Sequence, residues 1–222
     1  IDREHGTVTF SKIGTIPFDM YRPYSGTVKG VLITRSRDKW YVVIQTEQKV
    51  LTSKRDGRSV GIDVGLTSFA IDSDGVVIEN PRFYEHSLKK IRKLHRSVSR
   101  KQKFSQNWKK AECKLSKVYE HVTNQKKDFL HKLSRYYVDT YATVCIEDLD
   151  IKRLKEKGNS TGLHRSIHDA SWGRFYSYLM YKAESAGTNI IKVDPRNTSQ
   201  MCSNCGSIVK KTLSDRIHEC PY

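Results

Sequence analysis

Ser59-Val60-Gly61-Ile62-Asp63-Val64-Gly65 is the stretch whose reading decides the fold. Val60, Ile62 and Val64 alternate with Gly61, Asp63 and Gly65, the period of two that marks a strand with one buried face. Leu66 to Ile71 continues as a second strand. Asp72-Ser73-Asp74-Gly75 reads as a tight turn, and Val76-Val77-Ile78 returns, so Ser59 to Glu79 is expected to be a hairpin. Asp63 is the anomaly. A carboxylate in an apolar strand needs a partner, because an unpaired buried charge costs several kcal/mol. Its flanking glycines leave room for a bulky group to approach the backbone. A Mg²⁺ ion holding a phosphate fits that room, and so does a strand-end aspartate paired with an arginine or capping a turn.

A second carboxylate separates these readings. Thr143-Val144-Cys145-Ile146 is a short apolar strand that ends at Glu147. Ligands of α/β sheets gather at the carboxyl ends of strands. Two carboxylates from neighbouring strands can share a hard cation through oxygen ligands and water, and such ions support phosphodiester hydrolysis. Asp148 and Asp150 follow at once, as spare ligands or as the start of the next loop.

Between the two carboxylates, residues 87–141 read as two long helices that break near Ser105-Gln106-Asn107. Leu115, Val118, Val122, Phe129 and Tyr136 form an apolar seam in the second. Tyr119, Tyr136 and Tyr137 are expected to be core. Lys and Arg fill much of the rest. The whole chain carries 40 Lys and Arg against 24 Asp and Glu, a net charge of +16. Of this, 16 basic and 3 acidic residues lie between Ser87 and Arg135. So concentrated a charge argues for a polyanion that tracks one surface, and nucleic acid is the expected partner. The candidate phosphate contacts are Lys89, Lys90, Arg92, Lys93, Arg96, Arg100, Lys101, Lys103, Lys109 and Lys110.

Residues 1–53 read as β, with runs at Thr27-Val28-Lys29-Gly30-Val31 and Trp40-Tyr41-Val42-Val43-Ile44, as part of a small barrel or sheet. Residues 49–58 form a basic linker. Residues 151–166 are polar and read as a loop. Ser171 to Ala186 is an amphipathic helix stopped by Gly187, and Asn189 to Val193 is a further strand. Residues 54–196 thus form one α/β domain and 197–222 a cysteine-rich appendage. No apolar run reaches membrane-span length, and no signal peptide is expected at Ile1.

The five cysteines do not suggest a disulfide framework. Cys113 and Cys145 are isolated. Cys202-Ser203-Asn204-Cys205-Gly206 is a metal knuckle, and Cys220 lies where the second pair of a zinc ribbon begins. The fourth ligand is then expected at position 223, with His218 as a substitute.

Together, these motifs resemble the TnpB (OrfB) family of insertion-sequence proteins, which is related to the type V CRISPR effectors. The residues that carry the resemblance are Gly61-Ile62-Asp63-Val64-Gly65, Ile146-Glu147-Asp148-Leu149, the Trp172 helix with Tyr181-Lys182-Ala183, and Thr198-Ser199-Gln200-Met201-Cys202-Ser203-Asn204-Cys205-Gly206. Pro17 to Gln45 resembles the barrel strands that precede the nuclease domain. The resemblance covers most of residues 10–222 and implies an RNase H-like (RuvC-like) mixed sheet. That sheet carries a helical-hairpin insertion and a zinc-ribbon insertion and is preceded by part of a β-barrel. It implies an RNA-guided DNA endonuclease of a transposable element, in which Asp63 and Glu147 hold Mg²⁺ or Mn²⁺ and Cys202, Cys205 and Cys220 hold structural Zn²⁺. Guide RNA and target DNA are the implied partners, base pairing reads the target, and a cytoplasmic, nucleoid-associated location follows. The family's third carboxylate follows the second cysteine pair, beyond Tyr222. With that carboxylate outside it, this stretch is expected to hold two-thirds of an active site, and most of the family's DNA-end-recognising portion is expected before Ile1. A nuclease-inactive RNA-guided regulator, or a conventional DNA transposase, is the alternative.

Overall fold

The computed structural model describes residues 1–21, 23–36, 39–48, 57–151, 154, 161–196, 198, 200–202, 204–210 and 219–221. The chain divides into two compact units, Ile1–Leu51 and Thr52–Tyr222.

In the first unit, β1 (Thr7–Phe10) pairs antiparallel with β2 (Gly14–Pro17), and β3 (Thr27–Ser36) with β4 (Lys39–Glu47). The turn between the first pair closes through Gly14 at φ +95°, a conformation that favours glycine. The two hairpins remain separate two-stranded sheets, and no closed barrel forms among the described residues. Val8 is the one buried apolar side chain described here, while Leu32, Trp40 and Val43 are exposed. The β-branched runs specify strands; they do not by themselves close a sheet.

The second unit is built on a five-stranded sheet of order β7-β6-β5-β8-β9. Its members are β5 (Ser59–Val64), β6 (Ser68–Asp72), β7 (Val77–Glu79), β8 (Thr143–Glu147) and β9 (Asn189–Val193). β5, β6 and β7 are antiparallel neighbours, whereas β5 with β8 and β8 with β9 are parallel. Parallel neighbours need long crossovers. The first crossover is α1 (Phe83–Ser99) with α2 (Gln106–Thr140), and the second is α3 (Thr161–Ala170) with α4 (Trp172–Ala186). α3 corrects the expected loop over residues 161–166, while residues 152, 153 and 155–160 of that expectation lie outside the described residues. Its Ile167 and Ala170 are buried, so packing of a short apolar stripe overrides a polar composition.

The alternation in β5 does what its pattern dictates. Val60, Ile62 and Val64 enter the core with Val144 and Ile146 of β8, under Tyr137, Val138, Phe175 and Leu179 of the helices. Phe69 meets Phe129 and Phe175 edge-on at 5.1 and 5.4 Å, the geometry favoured by ring quadrupoles. The Asp72–Gly75 turn is tied to α2. The Asp72 carboxylate accepts bonds from the Asp74 and Val76 amides and from the Tyr137 hydroxyl, and Tyr141 donates to Asp74 at 2.7 Å.

The helical hairpin starts at Phe83 and turns where Ser105 caps α2, its hydroxyl accepting from the Trp108 amide at 3.2 Å. The expected seam holds at Leu115 and Val122 and then drifts. Leu130, Leu133 and Tyr137 are buried, Phe129 packs half-buried at the margin of the core, and Tyr136 is 44% exposed. A straight helix has 3.6 residues per turn, so a strict seven-residue stripe rotates off the buried face by about 20° per heptad. Tyr119 is half-buried and meets His95 Nε2 of α1 at 2.8 Å through its hydroxyl.

The hairpin is anchored at its base by Asp169 of α3. Its carboxylate accepts from the Tyr84 and Glu85 amides at the start of α1 and pairs with Lys126 of α2 at 2.7 Å. One buried carboxylate therefore joins three helices. Its position at a helix N-terminus also suits a negative charge.

Candidate functional site

Asp63 and Glu147 stand side by side. The last registered pair of the β5–β8 ladder is Ile62 with Ile146, and each carboxylate is the next residue on its parallel strand. The two acids thus lie together at the carboxyl edge of the sheet, on the central strand and its neighbour. Both alternate away from the buried Val60, Ile62, Val144 and Ile146. Asp63 opens to solvent, and Glu147 is half-buried. Desolvation first, and the Glu147 charge second, raise the Asp63 carboxyl above the usual aspartate value. A cation shared by the two would relieve that repulsion.

Of the two glycines beside Asp63, Gly65 is crowded and Gly61 is not. The Gly61 amide donates to Ser73 Oγ at 3.0 Å, and a Cβ at Gly61 would touch that side chain. A Cβ at Gly65 would come within 3.0 Å of the Ser68 carbonyl oxygen. Gly65 therefore accommodates the chain's own backbone, which corrects the expectation of room for a ligand there, whereas a Cβ at Gly61 makes only ordinary contact.

Two further side chains complete the site. Thr198 donates its hydroxyl to Glu147 Oε1 at 2.7 Å, across 51 residues, and so orients the carboxylate. Tyr176, from the first turns of α4, is 7% exposed. Its hydroxyl has no hydrogen-bond partner among the described residues. Burial, then the charges on Glu147 and Asp63, push that hydroxyl's pKa well up. A buried hydroxyl without a partner costs about 1–3 kcal/mol, and its neighbours here are the two acids. Sequence reading placed Tyr176 on the apolar face of its helix, where nothing separates a site-facing tyrosine from a core one. Of the spare acids, Asp148 is engaged by Lys192 at 3.1 Å, and Asp150 also has interactions.

The cysteine knuckle folds as its spacing predicts. Met201 bridges Ile208, the Cys202 amide donates to Ser207, and the Gly206 amide donates to Cys202. Gly206 sits at φ +72°, which only a residue without Cβ adopts freely. The sulfurs of Cys202, Cys205 and Cys220 all lie within 4.8 Å of one another. Tetrahedral zinc thiolate bonds of about 2.3 Å put sulfurs about 3.8 Å apart, so the triad fits such an ion. Bonds from Ser207, then from Cys220 and Cys202, lower Cys205 to about 7, which favours the thiolate that binds metal. His218 lies outside the described residues. Cys113 is exposed and Cys145 half-buried, both as free thiols.

Of the ten candidate phosphate contacts, Lys89, Lys90, Arg92, Lys93, Arg96, Arg100, Lys103, Lys109 and Lys110 are exposed. Lys101 is the exception. It is half-buried and donates to the Ser97 carbonyl and hydroxyl. The basic surface therefore belongs to α1 and the start of α2. No helix among the described residues is long and apolar enough to cross a membrane.

Comparison with known proteins places this geometry in context. Residues 172–222 match the TNB domain of Cas12f1-like proteins. Among curated relatives, "Putative RNA-guided DNA endonuclease InsQ" of Escherichia coli K12 is 34% identical over 99% of this chain and 58% of its own length. "Putative RNA-guided DNA endonuclease" of Streptomyces pristinaespiralis is 35% identical over 92% of this chain and 51% of its own. The chain thus spans a little over half the length of these relatives. The cryo-EM structure of a Cas12f1–sgRNA–target DNA complex shares the fold, with a TM-score of 0.55 at 19% identity over 76% of this chain and 35% of that one. The OrfB_IS605 family, described as probable transposase, matches residues 41–158, just over half of the chain, and the chain belongs to that family.

Proposed function

We propose that this chain is the nuclease portion of an RNA-guided DNA endonuclease of a transposable element, and that Asp63 and Glu147 are its metal-binding carboxylates. The observation that carries the reading is their juxtaposition at the carboxyl ends of two parallel strands, with mutual repulsion left in place. The relatives' names point the same way.

Asp63 and Glu147 would hold Mg²⁺ or Mn²⁺ through carboxylate oxygens. Such an ion, when bound, lowers the pKa of a water and stabilises charge on the phosphate oxygens. The protein's own part is positional. The Thr198 hydroxyl fixes one Glu147 oxygen and leaves the other free to bind. Tyr176 keeps a buried hydroxyl in the field of both acids, a donor for a group that enters between them. The exposed lysines and arginines of α1 and α2 grip the phosphates of a guide RNA–target DNA hybrid, while base pairing selects the sequence. Cys202, Cys205 and Cys220 would hold zinc and keep the knuckle, and with it Thr198, in register with β9.

The test is cleavage by the full-length protein, loaded with its guide RNA, of matched DNA in Mg²⁺. Asp63→Ala is expected to abolish cutting while guided DNA binding persists. Cutting at the wild-type rate by that variant removes the assignment.

A further inference from the structure

The tip of the helical hairpin carries an aromatic residue in a place that the fold itself disfavours. Phe104 adopts φ +67° between the end of α1 and the cap of α2. Left-handed backbone is costly for a bulky side chain and free for glycine. The ring recovers little by packing, because Phe104 is 71% exposed. The cap of α2 comes from Ser105, so Phe104 is not needed to start that helix. A residue that is strained and also exposed calls for a use outside the fold.

The surroundings indicate what it meets. The Phe104 ring lies 5.6 Å from Trp108 at a 58° tilt, and the Lys103 ammonium stands 5.5 Å from its centroid. Arg100, Lys109 and Lys110 are exposed on either side, and no acidic residue occurs from Ser87 to Ala111. Aromatic faces among cations suit nucleic acid, where bases stack on rings and phosphates pair with Lys and Arg. A lipid surface wants several apolar side chains on one face. Here one exposed ring sits beside a half-buried Trp108.

We propose that Phe104, backed by Trp108, stacks on an unpaired or terminal base of the bound nucleic acid, at the end of the basic track on α1 and α2. The inference rests on reading that hairpin as a nucleic-acid surface. Phe104 extends that surface from sequence-blind phosphate contacts to a base contact at a fixed point. It requires no base identity, because every base offers a flat face.

The experiment uses the full-length protein and a short single strand carrying 2-aminopurine, whose fluorescence falls on stacking. Variants are Phe104→Gly, Phe104→Trp and the double charge reversal Lys109→Glu/Lys110→Glu. Phe104→Gly is expected to raise Tm by removing the backbone strain. It should also weaken binding on the order of ten-fold and abolish the quench, with the salt dependence unchanged. Phe104→Trp is expected to restore both. The charge reversal should weaken binding and flatten the salt dependence.

If Phe104→Gly binds and quenches like wild type while the charge reversal weakens binding, the stacking inference fails and the hairpin reading stands. If neither variant affects binding, both fail. A lowered Tm in Phe104→Gly assigns the ring to the fold and overturns the inference. So does a loss confined to anionic phosphatidylserine vesicles, which would make the tip a membrane contact.

Discussion

Removing the Asp169 carboxylate should destabilise the nuclease unit more than any exposed charge change. In Asp169→Ala, the Tyr84 and Glu85 amides lose their acceptor, and Lys126 stays behind without its 2.7 Å partner. The two side chains are only 11% and 8% exposed, so water does not readily replace the lost bond. Stranding one member of a buried ion pair costs about 3–5 kcal/mol, and a lost helix cap about 1 kcal/mol. These overlap in one group, so about 4 kcal/mol is expected in total. For a domain of this size, that is a fall in Tm of about 10 °C. Asp169→Asn keeps an acceptor for one amide but not the charge, and should fall between. Lys126→Met with Asp169→Leu removes both charges and should recover much of the loss, because a well-packed apolar pair often matches a buried ion pair. Urea unfolding of the four proteins at neutral pH gives the comparison. A loss below about 1 kcal/mol in Asp169→Ala, or a double variant no better than the single, refutes the argument.

Three further outcomes follow from the site. Tyr176→Phe deletes a buried hydroxyl that lacks a partner, so the metal-free protein should be equally or more stable, by about 1 kcal/mol, while guided cleavage slows; thermal unfolding and single-turnover cutting report the two effects. Thr198→Val frees the Glu147 carboxylate and should raise the Mg²⁺ concentration for half-maximal cutting by about 10-fold or more, which a metal titration measures. Cys205→Ser should remove most of the bound zinc from the full-length protein, read by metal analysis, and leave the far-UV spectrum of the sheet and hairpin intact.

Much of this fold is legible because one rule suffices. The alternation Val60, Ile62, Val64 can be satisfied only by a strand with one buried face, and Gly187 at φ +71° is the stop that ends α4. Glu147 is legible as a strand-end acid because Val144 and Ile146 demand burial. What escapes is non-local. Asp169 lies 85 residues beyond the amide it caps, and nothing around it announces that role. Residues 161–166 are polar and still fold as helix, because Ile167 and Ala170 find a core elsewhere. Tyr136 and Tyr137 differ only in helix phase, which a heptad count misassigns and a 3.6-residue turn corrects. Thr198 reaches Glu147, and Tyr176 enters its field, through chain crossings that local pattern does not encode. Gly65 misleads for the opposite reason: the space it opens is taken by the Ser68 backbone.

The central claim is that Asp63 and Glu147 form one cation site, and linkage between metal and stability tests it directly. Asp63 has its pKa raised by desolvation and by Glu147. Folding is therefore penalised once Asp63 ionises: the penalty is absent well below its usual pKa, develops as pH rises through that value, and is fully present above the raised folded value. In metal-free full-length protein at neutral pH, Glu147→Gln should accordingly unfold at a higher temperature than wild type. Added Mn²⁺ should raise the wild-type Tm and leave that of Glu147→Gln nearly unchanged. Equal stabilisation of both proteins by Mn²⁺, or of neither, would contradict the account.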